Sequence, residues 1–558
     1  GRLTLLASKT SAGLTSLEGG VLQLGDANNP PTLAGTVTIA AGANLNVVNG
    51  TLAAITTVAA SGGLRVDGGT ISGALSLAGN ADFFGGTLTS VSTLDVGGTL
   101  KLKSTFAGTL TANIVVPTGA TLQFEQDAAL RFDKAVSGTG VINFNGPGRT
   151  TFGGSSNGFT GTVNVNAGEF RIDDPGTGGD LGVTDIIVNN GGRFQFGDTS
   201  IGNPDLPGTT YITINTGGVI AFQEAEDFGG IHLNGGTVLL EQSGFNLTGT
   251  TAIMVWNSGT ITTLVGGTSA YAIAGTAGSP VLKLTSGVVE VSGLAALNMP
   301  SGMQVAEGTL RLVSAANLGN GTMPIALGSD VTAVTPTVGT LEYTGLTATR
   351  SGAFIVNQGG AVISVTTSGA TLTLSGTLSG AGDLKKMGAG NLSMGDSSSY
   401  AGLITVPEGG WILGANLVGQ TLSTVRLDGG SLLFAGSFSG ASQFNLGELQ
   451  LSPTATVRDI VLVDTASPPL PAILNLGGKN VDMVYDGTFS GAGTLVKVGT
   501  ASLKLTQANP LSGSTKLSSG TLTLAHRDAL RSSTLDLAGG TLVFDAAVTA
   551  KVFALGGL

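Results

Sequence analysis

A short unit, two glycines and a Thr or Ser followed by Leu, Val or Ile, recurs along the whole sequence. It occurs at positions 68–71, 85–88, 97–100, 235–238, 429–432 and 539–542. Glycine takes positive φ without steric cost, so each glycine pair predicts a tight corner. The alternation of Thr and Leu that follows predicts a short strand with one buried face and one exposed face. Corners and short strands in succession predict a chain that coils into a β-solenoid.

The composition agrees with a solenoid and excludes several other classes of protein. Of the 558 residues, 92 are Gly, while only 5% are aromatic and 11% are charged, which is unlike a set of ordinary globular domains. Hydrophobic residues make up 41%, so the chain has enough apolar surface to exclude disorder. Glycine has no strict three-residue period, which excludes collagen. Because there is no Cys, stability has to come from strand ladders and packing.

The charge balance limits the partners that the chain can have. The formal net charge of −11 disfavours binding to nucleic acid, whose phosphates require Lys and Arg. It also disfavours adsorption to an anionic membrane surface. No run of about 18 apolar residues is present, so we predict no membrane insertion within this chain.

A longer repeat is present in three copies, at 138–172, 380–413 and 491–525, with a partial copy at 1–25. The landmark residues are Gly140, Gly148, Gly161 and Gly168, then Gly382, Gly390, Gly402 and Gly409, then Gly493, Ala501, Gly513 and Gly520. Offsets from the first landmark are 8, 21 and 28 in the first copy and 8, 20 and 27 in the other two. Such similar spacing, with alternating strands between the landmarks, indicates one structural unit used repeatedly.

These segments resemble the passenger-associated transport repeats of bacterial autotransporters, also called autotransporter-associated β-strand repeats. The residues that match the Lys and aromatic positions of that motif are Lys386, Lys497, Phe159 and Tyr400. The residues that depart from the motif are Phe144, Ala501 and Leu511. The resemblance implies an all-β fold, a right-handed parallel β-helix that is exported and displayed extracellularly at the bacterial cell surface. It implies no single activity.

We therefore predict one continuous, elongated β-solenoid over 1–558, with little or no α-helix. The sequence starts in the middle of a long repeat and stops just before the next one would begin. Solenoids need polar caps, because an open end exposes a strand ladder and an apolar core. We expect either a segment of a longer protein or a subunit that associates end to end with copies of itself.

The best candidate for a metal or sugar site is the acidic cluster in 222–228, formed by Glu224, Glu226 and Asp227. Residues two apart on a strand share a face, as Glu224 and Glu226 would. Clustered carboxylates are what Ca²⁺ binding or polysaccharide cleavage on a β-helix requires. A solvated face of an acidic protein is the simpler explanation, so we predict no metal site, no catalytic residues and no cofactor.

The other residues with chemical potential have simpler structural explanations. His232 and His526 are the only histidines, and we predict structural or exposed roles for them, with His526 in a loop. Trp256 and Trp411 could stack on a sugar ring, but packing at a corner is the better explanation. Residues 154–158 match the nucleophile-elbow pattern with Ser156 at its centre, yet no strand-to-helix context surrounds them.

Three functions are compatible with the sequence. The leading hypothesis is a non-enzymatic structural or adhesive protein, a rigid surface filament or stalk, because repetition is pervasive and catalytic side chains are scarce. The second is an adhesin module that binds surface glycans, other cells or another partner. The third is a polysaccharide lyase or hydrolase, which would require carboxylates and a basic residue to converge in a lateral groove.

Overall fold

The structure, a computed structural model, describes most of the chain. The described residues are 1–89, 92–94, 97–103, 106, 108–111, 113–172, 181–196, 206–223, 228–241, 245–247, 253–263, 272–275, 281–283, 285–294, 296–299, 301–319, 323–330, 333, 335–395, 400–414, 422–436, 442–548 and 552–558. The chain divides into two compact units, Gly1–Ser279 and Pro280–Leu558. A single continuous solenoid over both units stays a prediction.

Strands make up 53% of the chain, and they pair in parallel to form a β-solenoid, which confirms the predicted fold class. The helix that the structure describes in full is a short 3₁₀ turn, Ala315–Leu318. Over those same residues, no helix has the length and apolar character needed to cross a membrane.

In the first unit, short strands from successive rungs stack into parallel ladders. The longest ladder comprises Arg2–Leu5, Gly20–Leu24, Ala43–Val47, Gly63–Val66, Asn80–Phe83, Thr99–Leu102, Thr121–Phe124, Val141–Phe144, Thr162–Val165, Asp185–Val188, Tyr211–Asn215, Gly230–Leu240 and Ile253–Thr263. A second ladder comprises Thr32–Leu33, Thr51–Leu52, Thr70–Ile71, Thr87–Leu88 and Thr109–Leu110. A third comprises Leu14–Leu17, Thr36–Ile39, Ile55–Val58, Leu75–Leu77, Ser92–Leu94, Ile114–Val115 and Val136–Ser137. A fourth comprises Leu130–Phe132, Arg149–Phe152, Gly168–Ile172, Gly192–Phe196 and Val219–Phe222, and it ends on the second half of Gly230–Leu240. Phe245–Leu247 and Ala272–Gly275 form a separate parallel pair.

The second unit repeats this organisation. One ladder comprises Val281–Lys283, Met303–Val305, Ile325–Leu327, Phe354–Val356 and Leu378–Gly380. Another comprises Val288–Val291, Gly308–Leu312, Gly339–Tyr343, Ala361–Val365, Leu384–Met387, Leu403–Val406, Thr424–Leu427 and Glu448–Leu451. A third comprises Ala348–Arg350, Thr371–Leu374, Asn391–Met394, Gly410–Leu413 and Ser431–Phe434. The last rungs contribute Gln443–Leu446, Ile473–Leu476, Thr494–Lys497, Ser514–Leu517, Leu530–Leu537 and Leu555–Gly557, then Met483–Tyr485, Ser502–Leu505, Thr521–Leu524 and Thr541–Phe544, and the pair Asp459–Val461 and Thr488–Ser490. Ala296–Asn298 is the remaining strand.

The rungs differ in length, although their strands stay in register. Leu64 pairs with Ala81, 17 residues later, whereas Leu310 pairs with Leu341, 31 residues later. The extra residues leave the rung at its corners, where a solenoid tolerates insertions. Sequence spacing alone therefore does not identify which residues are neighbours on adjacent rungs.

Alternate residues of each strand fill the interior. In Thr121–Phe124 the side chains of Leu122 and Phe124 are buried, while Thr121 and Gln123 face outwards. In the first unit, a stack of phenylalanines extends across successive rungs, with ring centroids 4.9 Å apart for Phe124–Phe144 and 4.3 Å for Phe144–Phe170. Phe144, which departs from the Lys of the repeat motif, joins this aromatic stack instead.

The glycine landmarks of the long repeat lie directly against one another on adjacent rungs. A Cβ atom at Gly161, Gly402 or Gly513 would lie 2.0, 2.3 or 1.8 Å from the carbonyl oxygen of Gly140, Gly382 or Gly493, respectively. In the same way, Gly409 lies against Gly390 and Gly520 against Ala501. Each long repeat is therefore two stacked rungs, the third landmark above the first and the fourth above the second. The partial copy follows the same rule, because Gly20 lies against Gly1.

Lysines at the Lys position of the repeat point into the core. Lys386 is 0% exposed, and its Nζ donates hydrogen bonds to the carbonyl oxygens of Gly388 and Gly390, at 2.5 Å each, and of Glu408, at 3.2 Å. Lys497 donates equivalent bonds to three carbonyl groups of its own rung and the next. We call this arrangement a lysine clip, because one buried ammonium group joins the turns of two rungs.

A third buried lysine, Lys283, donates a hydrogen bond to the Thr285 carbonyl group and lies below the turn at Gly308. The repeat alignment missed it, because Ser279 and Thr285 stand where the copies with Lys386 and Lys497 have glycine. The signal that could have found it is the alternation of the strand, which puts Lys283 on the same face as the buried Val281.

The lysine clips predict an unusual dependence of stability on pH. Burial lowers the pKa of Lys283 and Lys386 from 10.5 to about 8, and it also lowers the pKa of Lys497. Between about pH 8 and 10.5 the unfolded chain keeps protons that the folded chain has released, so the free energy of unfolding should rise with pH in this window and level off below it. Burial raises the pKa of Tyr400 and Tyr485 above their ordinary 10.0, so stability should fall again above that pH.

Urea denaturation at a series of pH values measures this effect. We expect the midpoint to rise from pH 8 to a maximum near pH 10, and the rise should be smaller in a Lys386→Met variant. If the urea midpoint rises equally with pH in the variant and in the unsubstituted chain, Lys386 is not responsible for the rise.

Asparagine side chains form a hydrogen-bonded ladder on the outside of the first unit. The amide nitrogens of Asn166, Asn189 and Asn215 each donate to the side-chain oxygen one rung earlier, at 2.8, 2.6 and 2.8 Å, respectively. Asn189 both donates and accepts, so it joins three rungs.

Replacing Asn189 with Ala should remove two of these hydrogen bonds and lower the free energy of unfolding by about 1–2 kcal/mol. The neighbouring Asn190 is exposed and outside the ladder, so Asn190→Ala is the matched control, with an expected effect within about 0.5 kcal/mol. Urea denaturation of both variants compares them. Equal losses would show that the ladder adds nothing to stability.

Candidate functional surfaces

The acidic cluster predicted from the sequence lies outside the described residues. Glu224, Glu226 and Asp227 are therefore not placed, and the metal or sugar site at this loop stays a prediction. Within the described ranges, no three or more His, Asp or Glu side chains come together in a way that could hold a metal ion.

Both tryptophans pack in the core, as predicted. Trp256 is 1% exposed and Trp411 is 2% exposed, so neither ring is available to a sugar. His526 lies in a turn, also as predicted, and its Nδ1 accepts a hydrogen bond from the backbone N–H of Asp528 at 3.0 Å. His232 is half-buried beside the ring of Tyr211, with ring centroids 5.6 Å apart. These four side chains have structural roles.

Ser156 is a structural residue of the polar loop in the first long repeat. It is 1% exposed, and its Oγ accepts a hydrogen bond from the backbone N–H of Val136 at 3.0 Å. Asn509 does the same in the third copy, where its Oδ1 accepts from the backbone N–H of Phe489 at 2.7 Å. The loop side chain therefore ties its rung to the preceding one, and Ser156 has no access to a substrate.

A ladder of ion pairs joins charged side chains on several rungs of the first unit. Arg149 Nε lies 2.7 Å from Glu169 Oε1, and Arg193 lies 3.6 Å from Glu169 Oε2 and 2.5 Å from Glu241 Oε1. Gln223 also donates a hydrogen bond to Glu241, at 3.0 Å. Opposite charges in register hold rungs together, and networks of this kind contribute more than isolated surface pairs.

This ion-pair ladder brings two carboxylates and basic residues onto one lateral face, which is the composition that the enzyme hypothesis requires. However, Arg193 bridges Glu169 and Glu241, so both carboxylates are already paired with a guanidinium group. A glycosidase requires one carboxyl group that holds a proton and one that attacks or activates water. The ion pairs of this ladder hold rungs of the solenoid together.

The outer rungs of the two units leave apolar surface exposed. At the start of the first unit, residues 1–3, 15–19, 21 and 22 line an open cavity of about 550 Å³, and Leu3 and Leu14 are 69% and 63% exposed. At the end of the second unit, a cavity of about 530 Å³ is lined by Phe544, Phe553 and their neighbours.

A similarity to a known protein agrees with the repeat motif. No family model matches the chain. The chain is similar to the BmaC autotransporter adhesin of Brucella suis biovar 1 (strain 1330), with 32% identity over 188 residues, which is 33% of this chain and 5% of that adhesin. The chain thus corresponds to only a small part of the curated relative that it matches. With a parallel β-solenoid assembled from these repeats, the chain resembles the passenger domains of bacterial autotransporters.

Proposed function

We propose that this chain is a non-enzymatic, extracellular part of a bacterial surface adhesin, in which a stiff β-solenoid presents its lateral faces to surface glycans or other cells. The observation that carries the proposal is the similarity to an autotransporter adhesin in a chain that folds as a parallel solenoid. The negative net charge supports a partner other than nucleic acid.

The way in which the rungs are joined supports the proposal of a stiff stalk. Backbone ladders, the phenylalanine stack, the asparagine ladder and the lysine clips all connect a rung to the next one. Each of these contacts connects neighbouring rungs along the solenoid, so bending the solenoid would break many of them at once. A stalk or filament is the use that such a structure supports.

The test of adhesion is display of this chain on a bacterium that does not adhere by itself. Attachment to cultured animal cells should rise severalfold over the same bacterium without the chain. A matched control displays the chain with Gly409→Ala and Gly513→Ala, which disturb the stacking of rungs and should abolish the gain. Attachment equal to that of the undecorated bacterium would overturn the proposal.

The non-enzymatic part of the proposal is tested separately. Purified chain incubated with neutral and acidic polysaccharides should release no reducing ends and no unsaturated sugars above the buffer control. The ion pairing of Glu169 and Glu241 with Arg193 supports this expectation. If the unsubstituted chain releases either product and a Glu241→Gln variant still does so, an active site lies elsewhere on the chain. If the variant no longer releases the product, the ion-pair ladder is catalytic.

End-to-end self-association is a second proposal, favoured by the exposed apolar side chains of the outer rungs. Leu3 and Leu14 in the first unit and Phe544 in the second would be buried by an added rung. Sedimentation and negative-stain imaging should then show linear assemblies that shorten in a Leu3→Asp/Phe544→Asp variant. Monomers at all concentrations would eliminate this proposal and leave the adhesion proposal intact.

A further inference from the structure

One lateral face of the first unit carries no charged side chain. It comprises the outward side chains of four strands of the third ladder, Leu14–Leu17, Thr36–Ile39, Ile55–Val58 and Leu75–Leu77. Residues 27–64 and 68–81, which include the last three of these strands, contain no Asp, Glu, Lys, Arg or His. The charged residues between these two segments, Arg65 and Asp67, lie at the end of Gly63–Val66, a strand of the first ladder. We call this uncharged surface the neutral face.

Large and small side chains alternate along the first column of the neutral face. Leu14, Thr36 and Ile55 are partners on consecutive rungs, and Ala74 comes next, directly before the paired strand Leu75–Leu77. Leu14 is 63% exposed and Ile55 is 59% exposed. Two large apolar side chains therefore project from this column, each beside a smaller neighbour.

The second column of the neutral face reads the same in both directions. It consists of Ser16, Thr38, Thr57 and Ser76 on the same four rungs. A column with this symmetry matches itself when it is turned end over end, so a two-fold axis brings hydroxyl groups opposite hydroxyl groups. Self-complementary surfaces of this kind are what two-fold symmetric dimers use.

The charge of the whole chain favours a second copy as the partner of this face. At a net charge of −11, two copies repel each other where their acidic surfaces approach. The neutral face avoids this repulsion. Its rungs repeat at about 4.8 Å, and the same face of another copy has the same spacing, so side chains can match rung by rung. A charged partner would form no ion pair here.

We infer that the neutral face pairs two copies of this chain with their solenoid axes antiparallel. The two-fold axis runs parallel to the strands, midway between the rungs of Thr36 and Ile55. Leu14 then packs on Ala74 of the second copy, and Ile55 packs on Thr36 of the second copy. Large side chains meet small ones throughout, which is the shape complementarity that a packed interface requires. A two-fold interface closes on itself, so assembly stops at a dimer.

The charged residue at the margin of the neutral face does not oppose this pairing. Glu18 directly follows the strand Leu14–Leu17. In the dimer it lies opposite Ala78 of the second copy, which directly follows Leu75–Leu77. The pairing also differs from end-to-end association, because Ile55 lies on the third rung, where an added outer rung would not cover it.

The experiment is sedimentation equilibrium of the whole chain in the Leu3→Asp/Phe544→Asp background, which removes the apolar contacts of the outer rungs. We expect a monomer–dimer equilibrium without larger assemblies, with a dissociation constant of about 10–100 μM, as for a small interface. Ile55→Asp should weaken dimerisation at least about tenfold. Asn44→Asp adds the same charge at an exposed position of the first ladder and should leave the equilibrium unchanged. Both positions are exposed, so the urea midpoints of the two variants should agree.

A mixing experiment tests the antiparallel arrangement. The chain has no Cys, so Ser16→Cys and Ser76→Cys each introduce a single thiol. In the inferred dimer Ser16 faces Ser76 of the second copy, whereas the two Ser16 side chains are three rungs or about 14 Å apart. A short bis-maleimide should therefore link a mixture of the two variants severalfold faster than it links either variant alone.

Three outcomes contradict the inference. The background chain could stay monomeric at every concentration, Asn44→Asp could weaken dimerisation as much as Ile55→Asp, or either thiol variant alone could be linked as fast as the mixture. The inference goes beyond the proposed adhesive function and does not depend on it, because attachment of displayed chain to cells is measured separately.

Discussion

Replacing Lys386 with Ala is expected to lower the free energy of unfolding by about 3–5 kcal/mol. The substitution removes a fully buried side chain and leaves the carbonyl oxygens of Gly388, Gly390 and Glu408 without their shared donor. Buried acceptors without partners and a new cavity both destabilise the folded chain. Urea denaturation gives the overall loss, and hydrogen exchange of the strand Leu384–Met387 should show that the loss is centred on this rung.

Lys385 is the matched control for Lys386. It is the adjacent residue with the same side chain, but alternation along the strand turns it outwards, where it is exposed. Lys385→Ala should change the free energy of unfolding by less than about 0.5 kcal/mol. Similar losses for the two variants would show that the lysine clip does not stabilise the solenoid.

Replacing Gly409 with Ala should destabilise the chain by more than about 3 kcal/mol. Gly409 has φ of +66°, and a Cβ there would lie 2.2 Å from the Gly390 carbonyl oxygen and 2.3 Å from Lys386 Nζ. The backbone conformation alone disfavours Ala by about 1–2 kcal/mol. The remainder comes from contacts far shorter than van der Waals distance, which would force the two rungs apart.

Gly369 separates these two contributions. Its φ is +77°, yet a Cβ there would meet no atom within 4 Å. Gly369→Ala should therefore show only the conformational part, about 1–2 kcal/mol. Comparing the urea midpoints of the two variants isolates the contribution of close stacking, and equal shifts would mean that Gly409 is required for its φ alone.

Much of the fold could be predicted from short stretches of sequence, because its determinants are local. The 85–88 unit predicts a corner and a strand from the freedom of glycine and from alternation, and the structure has Gly86 at a φ of +90° followed by a strand at Thr87–Leu88. The packing of Trp411 and the turn at His526 also followed from local context. Lys386 belongs to the repeat motif, and strand alternation puts it on the buried side with Leu384. Its burial was not predicted, because its side chain is charged.

The candidate surfaces could not be predicted in this way. Asn44, Gly63 and Asn80 come into register on consecutive rungs, although 19 and 17 residues separate them along the chain. In the ion-pair ladder from Arg149 to Glu241, the number of residues between paired side chains also differs from one pair to the next. No fixed period in the sequence brings these residues together, because corner insertions change the length of every rung.

The sequence by itself determined that the chain forms corners, alternating strands and stacked rungs, since glycine conformation and side-chain alternation act within a few residues. The tertiary structure decided which polar side chains meet outside the solenoid and which charges are buried inside it. The reason is that the ladder hydrogen bonds fix the register between rungs, and this register, not distance along the chain, makes neighbours of Asn44 and Gly63 or of Lys386 and Glu408.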